Sequence, residues 1–76
     1  MSLYPVSARK ILKILAGAGF KVVRKRGSHV VLKHSDGRIT VVPVHAGEKI
    51  GPGLLLKIIK DAKLTRKEFL SLLEKA

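Results

Sequence analysis

Residues Phe20–Val44 read FKVVRKRGSHVVLKHSDGRITVVPV, and this stretch decides the fold. It contains three runs rich in strand-forming residues, separated by two short turn signals. The runs are Phe20–Arg26, His29–His34 and Arg38–Val44, and the turns are Gly27-Ser28 and Ser35-Asp36-Gly37. Asp-Gly accepts the positive φ angles that a tight hairpin needs, and Pro43 lies near a strand end, where a missing N–H matters least. Turns this short predict an antiparallel meander of three strands.

Helices are predicted on both sides of this meander. Upstream, Ser7 is a good N-cap, and apolar residues recur at helical spacing after it. This first helix should end at Gly17 or Gly19, one of them in the left-handed conformation. Downstream, a second helix should begin near Gly51-Pro52, since proline suits a first helical turn. The third helix should begin at Thr65, which starts a capping-box sequence, T-x-x-E.

The predicted order of elements is therefore α-β-β-β-α-α. A chain of 76 residues is expected to form one domain, residues 1–76. An antiparallel sheet can bury one face against helices and leave the other face in water. We therefore expect an α+β fold with a three-stranded antiparallel sheet and helices on one face. This is the double-stranded-RNA-binding-domain-like arrangement, with an added C-terminal helix.

Charge is the strongest signal in the composition. Sixteen Lys and Arg residues against five Asp and Glu residues give a net charge of +11. Such a surface attracts polyanions, so nucleic acid is the leading candidate partner, followed by an acidic protein and then by anionic lipid. The alternative is that the charge only keeps the chain soluble, although a net charge of about 2–8 is enough for that in a small domain.

The sequence also argues against several classes of protein. It has no cysteine, so disulfides and thiolate sites are excluded. No apolar run approaches the roughly 18 residues of a membrane span, and Arg9, Lys10 and Lys13 interrupt any signal peptide. We therefore expect a cytoplasmic protein without a membrane partner.

Three histidines are the main candidates for chemistry: His29, His34 and His45. Three imidazoles can hold a zinc ion, but nothing in this spacing favours a zinc site, so we expect no metal or other cofactor. His34 stands beside the Asp-Gly turn, and we interpret it as an exposed surface residue. His45 follows Pro43 and could reach the same groove as His29, and its interpretation as functional or merely solvated stays open.

His29 follows Gly27-Ser28 at a predicted strand start, directly after three basic residues. Imidazole both accepts and donates protons near neutral pH, and RNA carries its own nucleophile in the 2′-hydroxyl. One histidine in a cationic setting could therefore cleave RNA without a metal. Gly27 lets the backbone approach a ligand, and the Ser28 hydroxyl could bind phosphate. From the pattern alone, a solvated histidine at a strand end is the simpler interpretation.

The basic residues around His29 have two compatible interpretations. They could protect a strand edge from aggregation, and they could bind phosphates. The candidates for phosphate binding are Arg24, Lys25, Arg26 and Lys33. Alternation along a strand places Arg24 and Arg26 on the opposite face from Lys25, so we do not expect all four to line one groove.

Several segments resemble the HicA family of toxins. Lys25–Leu32 (KRGSHVVL) closely resembles the family's G-S-H strand motif, and Leu15–Phe20 (LAGAGF) is similar to the helix end before it. Val42–His45 resembles the family's P-x-H segment, while Ile50–Leu54 and Leu64–Phe69 resemble its second and third helix starts. The resemblance extends from about Val6 to Leu73. One departure is Ala62-Lys63-Leu64, where relatives often have A-G-L, and a lysine in a left-handed cap costs about 1 kcal/mol relative to glycine.

This resemblance implies a toxin of a type II toxin–antitoxin system that is an mRNA interferase, an endoribonuclease. It implies that His29 is the catalytic residue, which reverses the simpler interpretation above. It also implies a HicB-like antitoxin, which we expect to be an acidic protein that covers His29. The RNA-binding candidates are Arg24, Lys25, Arg26, Ser28, Lys33 and His45. The alternative is a non-catalytic double-stranded RNA-binding module, and a structural ribonucleoprotein component is a third possibility.

Overall fold

The computed structural model describes residues 5–45 and 48–76. In chain order the elements are β1 (Val6–Ser7), α1 (Ala8–Gly17), β2 (Phe20–Arg26), β3 (His29–His34), β4 (Ile39–Pro43), β5 (Lys49–Ile50), α2 (Pro52–Asp61) and α3 (Arg66–Lys75). Each helix has ten residues. None of the helices in the described ranges has the length and apolarity needed to cross a membrane.

The central sheet has the order β2-β3-β4, and both pairings are antiparallel. This confirms the predicted meander and the α+β fold class. The first two strands have the predicted bounds, and β4 is one residue shorter at each end than the predicted Arg38–Val44.

The two hairpin turns differ in type. Gly27 has φ +59° and Ser28 does not have a positive φ, which is the pattern of the II′ turns that place glycine at the first central position. In the second turn, only Gly37 has a positive φ, +100°. Two backbone hydrogen bonds close it, from Gly37 N to His34 O and from His34 N to Arg38 O, each 2.9 Å long. The Asp-Gly pair therefore supplies one positive φ angle, at Gly37, because the loop has three residues, with a glycine bulge.

The helices cover one face of the sheet, as predicted. From this face of the sheet, Val30, Leu32 and Val42 enter the core. They pack with Ala62, which follows α2, and with the apolar sides of the helices, which contribute Ala8, Ile11, Ile14, Leu15, Leu55, Ile58, Ile59 and Phe69. Thr40, which is also buried, donates its hydroxyl to the carbonyl of Ile58 in α2 over 3.4 Å. Within residues 5–45 and 48–76, no helix covers the other face of the sheet.

The helix starts follow the predicted capping signals. Ser7 accepts a hydrogen bond from the N–H of Lys10 at the start of α1. Thr65 and Glu68 form the reciprocal capping box of α3. Gly19, at the end of α1, has the predicted left-handed conformation, with φ +98°. These caps show that local sequence sets the helix ends.

A second sheet of two short strands was not predicted. Val6 pairs with Ile50 and Ser7 with Lys49, so β1 and β5 tie the start of α1 to the start of α2. Two residues are too few to show an alternating pattern, and the partners are far apart in sequence.

His34 is half-buried, so its interpretation as an exposed surface residue is wrong. Its ring meets the Phe20 ring edge-on, with the centroids 5.3 Å apart. Its Nδ1 accepts a hydrogen bond from the N–H of Asp36 over 3.1 Å. The Asp36 carboxylate in turn accepts a hydrogen bond from Arg38 Nε, which is 2.9 Å from Oδ2. His34 thus belongs to a polar cluster with Asp36 and Arg38 that stabilises the second hairpin turn.

Candidate active site on the open sheet face

The uncovered face of the sheet, here called the open face, carries most of the predicted site residues. Val30 and Leu32 point into the core, so their neighbours on β3 point the other way. Residues paired directly across neighbouring strands share a face. The open face therefore consists of Lys21, Arg24 and Arg26 from β2, His29, Val31 and Lys33 from β3, and Ile39, Val41 and Pro43 from β4.

His29 is the first residue of β3, and it is exposed. It pairs with Arg26 on one side and with Pro43 on the other. The turn before it is anchored by a 2.6 Å hydrogen bond from Val44 N to the carbonyl of Ser28. Apart from its two chain neighbours, no atom of the described residues lies within 4 Å of a Cβ built on Gly27. The backbone of His29 is thus fixed at the end of a paired strand, and its exposed side chain lies beside an unobstructed turn.

The cations divide between the two faces of β2. Arg24 and Arg26 share the open face with His29, whereas Lys25 pairs with the buried Val30 and lies on the opposite side. This division agrees with simple alternation. Lys33 is also on the open face, opposite Lys21. The structure therefore brings Arg24, Arg26 and Lys33 onto the same face as His29, and it does not bring Lys25 there.

Lys21 reaches the open face because of an irregularity in β2. The register shifts between Val22 and Arg24, and an extra residue in one strand changes which side chains share a face. Strict alternation would group Lys21 with Lys25, on the face opposite Arg24. Sequence reasoning missed Lys21 for this reason, since the sequence contains no signal for the bulge.

No negative charge balances these cations locally. The three strands contain no Asp or Glu. Within residues 5–45 and 48–76, the carboxylates in ion pairs are Asp36, which pairs with Arg38, and Asp61, which pairs with Lys57. Lys21 and Lys33 lie directly opposite each other, an arrangement that destabilises a sheet. The open face therefore carries uncompensated positive charge beside His29.

Ser28 directly precedes β3, and His45 follows the end of β4 by two residues. Ser28 is half-buried in the turn before His29. His45 is exposed and helps to line a separate cavity of about 380 Å³, formed with Ser7, Arg9, Val44, Glu48, Lys49 and Ala8. His29 is not among the residues that line this cavity.

The histidines do not form a metal centre in the part of the chain that the structure describes. No group of three His, Cys, Asp or Glu side chains there is placed to hold a metal ion. His34 lies at the other end of β3 from His29 and is engaged with Phe20 and Asp36.

The fold and this face define a class of protein: a small, strongly basic α+β domain with an exposed histidine on a cationic sheet. A comparison with family models identifies the family. Residues 8–64 match the model described as HicA toxin of bacterial toxin–antitoxin systems. The match covers more than half of the chain, so the chain belongs to the HicA family, and the resemblance seen in the sequence is confirmed. Membership implies an antitoxin partner. No individual curated protein matches the chain in a sequence search.

Proposed function

We propose that this protein is an mRNA interferase, a toxin that cleaves single-stranded mRNA in the cytoplasm without a metal, with His29 as the catalytic residue. The observation that carries the proposal is the exposed His29 on a sheet face that holds four cations and no carboxylate. Family membership supports the toxin role.

The chemistry needs little beyond these groups. The RNA 2′-oxygen attacks the adjacent phosphorus, the bond from phosphorus to the 5′-oxygen breaks, and the products are a 2′,3′-cyclic phosphate and a 5′-hydroxyl. His29 acts as general base on the 2′-hydroxyl or as general acid on the leaving 5′-oxygen. Arg26, its cross-strand neighbour, stabilises the charge that develops on the phosphate. Arg24 and Lys33 hold neighbouring phosphates, and Ser28 and His45 contact the strand where it passes the turn.

The antitoxin partner is a HicB-like protein in this proposal. An acidic surface on the antitoxin would complement the open face and cover His29. Charge complementarity of this kind accelerates association and fixes orientation. Toxicity would return when the antitoxin is removed.

The direct test is cleavage of purified mRNA by wild-type protein and by His29→Ala, with excess chelator in both reactions. We expect wild type to cut with EDTA present and His29→Ala to be slower by about 10²–10⁴-fold, the contribution of a general acid or base. A strand with a 2′-deoxy residue at the cut site should stay intact. Because His29 is exposed, its replacement should leave the unfolding temperature unchanged.

A matched control is Lys60→Gln, an exposed cation on α2, which should cut at the wild-type rate. If folded wild-type protein leaves every transcript intact, or His29→Ala cuts as fast as wild type, the proposal is wrong. RNA binding without any cleavage would instead support the alternative, a non-catalytic double-stranded RNA-binding module.

A further inference from the structure

The open face is divided lengthwise into a cationic half and an aliphatic half. Lys21, Arg24 and Arg26 occupy the outer strand β2. On the opposite outer strand, β4, Ile39 is 51% exposed and Val41 is 39% exposed. The central strand β3, which begins with His29, separates the two halves.

Within the described residues, the charge of the cationic half is not neutralised and the apolar surface of the aliphatic half is not buried. The cations repel one another across the strands, as at the Lys21–Lys33 pair, and no carboxylate of the sheet offsets them. Ile39 and Val41 are exposed to water because their side chains lie on the face opposite the core. A ligand that fits this face must be anionic along one side and apolar along the other.

From this division we infer that the open face is a track for one RNA strand, with the phosphates along β2 and unstacked bases against Ile39 and Val41. The inference rests on the proposed function and adds the path of the RNA strand across the sheet and the residues that contact its bases. Single-stranded nucleic acids are generally bound in this way, by a cationic groove for the backbone and an apolar surface for the bases. Here aliphatic side chains take the place of the usual aromatic ones.

The dimensions of the sheet suit such a ligand. Neighbouring strands are about 5 Å apart, so β2 and β4 are separated by about 10 Å, which is comparable to the reach of one nucleotide from its phosphate to its base. His29 then lies beneath the sugar–phosphate link between the two halves. Because His29 is at the turn end of β3, the track extends mainly to one side of the bond that is cut.

A duplex fits this face less well than a single strand. Its bases are stacked inside, so it presents phosphates and 2′-hydroxyls to a protein surface, and Ile39 and Val41 would gain no apolar partner. An acidic protein could cover the same face, and this occupant is an outcome of the test below. RNA is favoured because its charge and its apolar groups run as two parallel lines, as they do on the sheet.

The test is binding of a fluorescent 2′-O-methyl RNA single strand, followed by anisotropy over a range of salt concentrations. This probe lacks the 2′-nucleophile, so binding is measured apart from cleavage. The double variant Ile39→Thr/Val41→Thr keeps β-branched side chains in the strand while removing apolar surface. We expect it to bind about fivefold to tenfold more weakly than wild type, with an unchanged dependence of log Kd on log salt.

Lys21→Gln should behave differently from the threonine variant. Loss of one phosphate contact should reduce the slope of log Kd against log salt by about 0.7. The matched apolar control is Val22→Thr, a β-branched residue on β2 that is 56% exposed and pairs with the core residue Leu32, on the other face. Val22→Thr should bind the probe as wild type does. A duplex of the same sequence should bind more weakly, and the threonine double variant should not weaken it further.

The inference is overturned if the folded Ile39→Thr/Val41→Thr protein binds the single strand as tightly as wild type, or if the duplex binds equally well. If that variant instead loses affinity only for the antitoxin, the aliphatic half is a protein contact. If wild type binds the probe in the expected pattern but cleaves no RNA, the track stands and the proposed function fails.

Discussion

Lys63 adopts a conformation that suits glycine. Its φ is +54°, and it is the only non-glycine residue with positive φ among those that the structure describes. It follows α2 in a Schellman motif, in which Lys63 N donates to Lys60 O over 3.0 Å and Leu64 N donates to Ile59 O over 3.1 Å. Left-handed backbone brings a Cβ too close to the neighbouring carbonyl oxygen. The backbone of the α2–α3 connection is therefore strained at Lys63.

Replacing Lys63 by glycine should stabilise the protein. Removing the Cβ relieves the left-handed strain, and the larger entropy of glycine in the unfolded chain offsets part of the gain. We expect the free energy of unfolding, measured with urea, to rise by about 0.5–1 kcal/mol. The control is Lys63→Ala, which removes the charge but keeps the Cβ. An equal gain from alanine would show that charge, and not backbone strain, is responsible.

Single residues differ in how far the sequence reveals their surroundings. The left-handed conformation at Lys63 was expected from the A-K-L departure, and one at either Gly17 or Gly19 was expected from their place at a helix end. The close approach of the His34 ring to Gly19 was not expected. A Cβ at Gly19 would lie 2.7 Å from His34 Nε2. Backbone conformation follows from near neighbours in sequence, whereas this contact joins two residues fifteen positions apart across a hairpin.

Among the elements, α3 depends most visibly on a titrating group. Thr65 N donates to Glu68 Oε1 over 2.8 Å, and Glu68 N donates to Thr65 Oγ1 over 3.0 Å. The backbone hydrogen bond from Thr65, followed by its side-chain hydrogen bond, lowers the pKa of Glu68 below its ordinary value of 4.5. The carboxylate form is therefore the one that stabilises the helix start.

This capping box predicts acid sensitivity. Since the pKa of Glu68 is lower in the folded state, its contribution is fully present above pH 4.5 and is lost as the pH falls through the folded pKa. Glu68→Gln keeps a capping side chain that does not titrate, so the difference in unfolding temperature between wild type and this variant should shrink from about pH 6 to about pH 3. A constant difference would contradict the prediction. Asp36, whose pKa the Arg38 hydrogen bond lowers, remains in both proteins.

The elements themselves were largely predictable, but the face on which each strand residue lies was predictable only in part. Hydrophobic periodicity, caps and turn residues located all three helices and the three strands of the main sheet. The sequence gives no signal for the bulge between Val22 and Arg24, so the position of Lys21 on the open face could not be deduced. Ile39 and Val41 also escaped notice, because an exposed aliphatic and a buried one look alike in a strand sequence.

At the scale of the whole molecule, positive charge dominates. The net charge of +11 is confined to a body of 32 × 30 × 20 Å. At about 10 mM salt the Debye length is about 30 Å, so each cation is felt across the entire protein, whereas at about 150 mM it is about 8 Å. Self-repulsion of this kind destabilises a compact state. The charge that would attract RNA therefore reduces the stability of the free toxin.

Adding sodium chloride from about 10 mM to about 150 mM should therefore raise the unfolding temperature, because screening weakens the repulsion more in the compact state than in the expanded one. A gain of about 1 kcal/mol would correspond to about 4–8 °C for a domain of this size, measurable by circular dichroism. The triple variant Lys10→Gln/Lys13→Gln/Lys67→Gln removes three exposed helix charges and should melt higher at low salt, with a smaller response to added salt. An unfolding temperature that does not change with salt, or an unchanged response in the triple variant, would show that self-repulsion does not limit the stability of this fold.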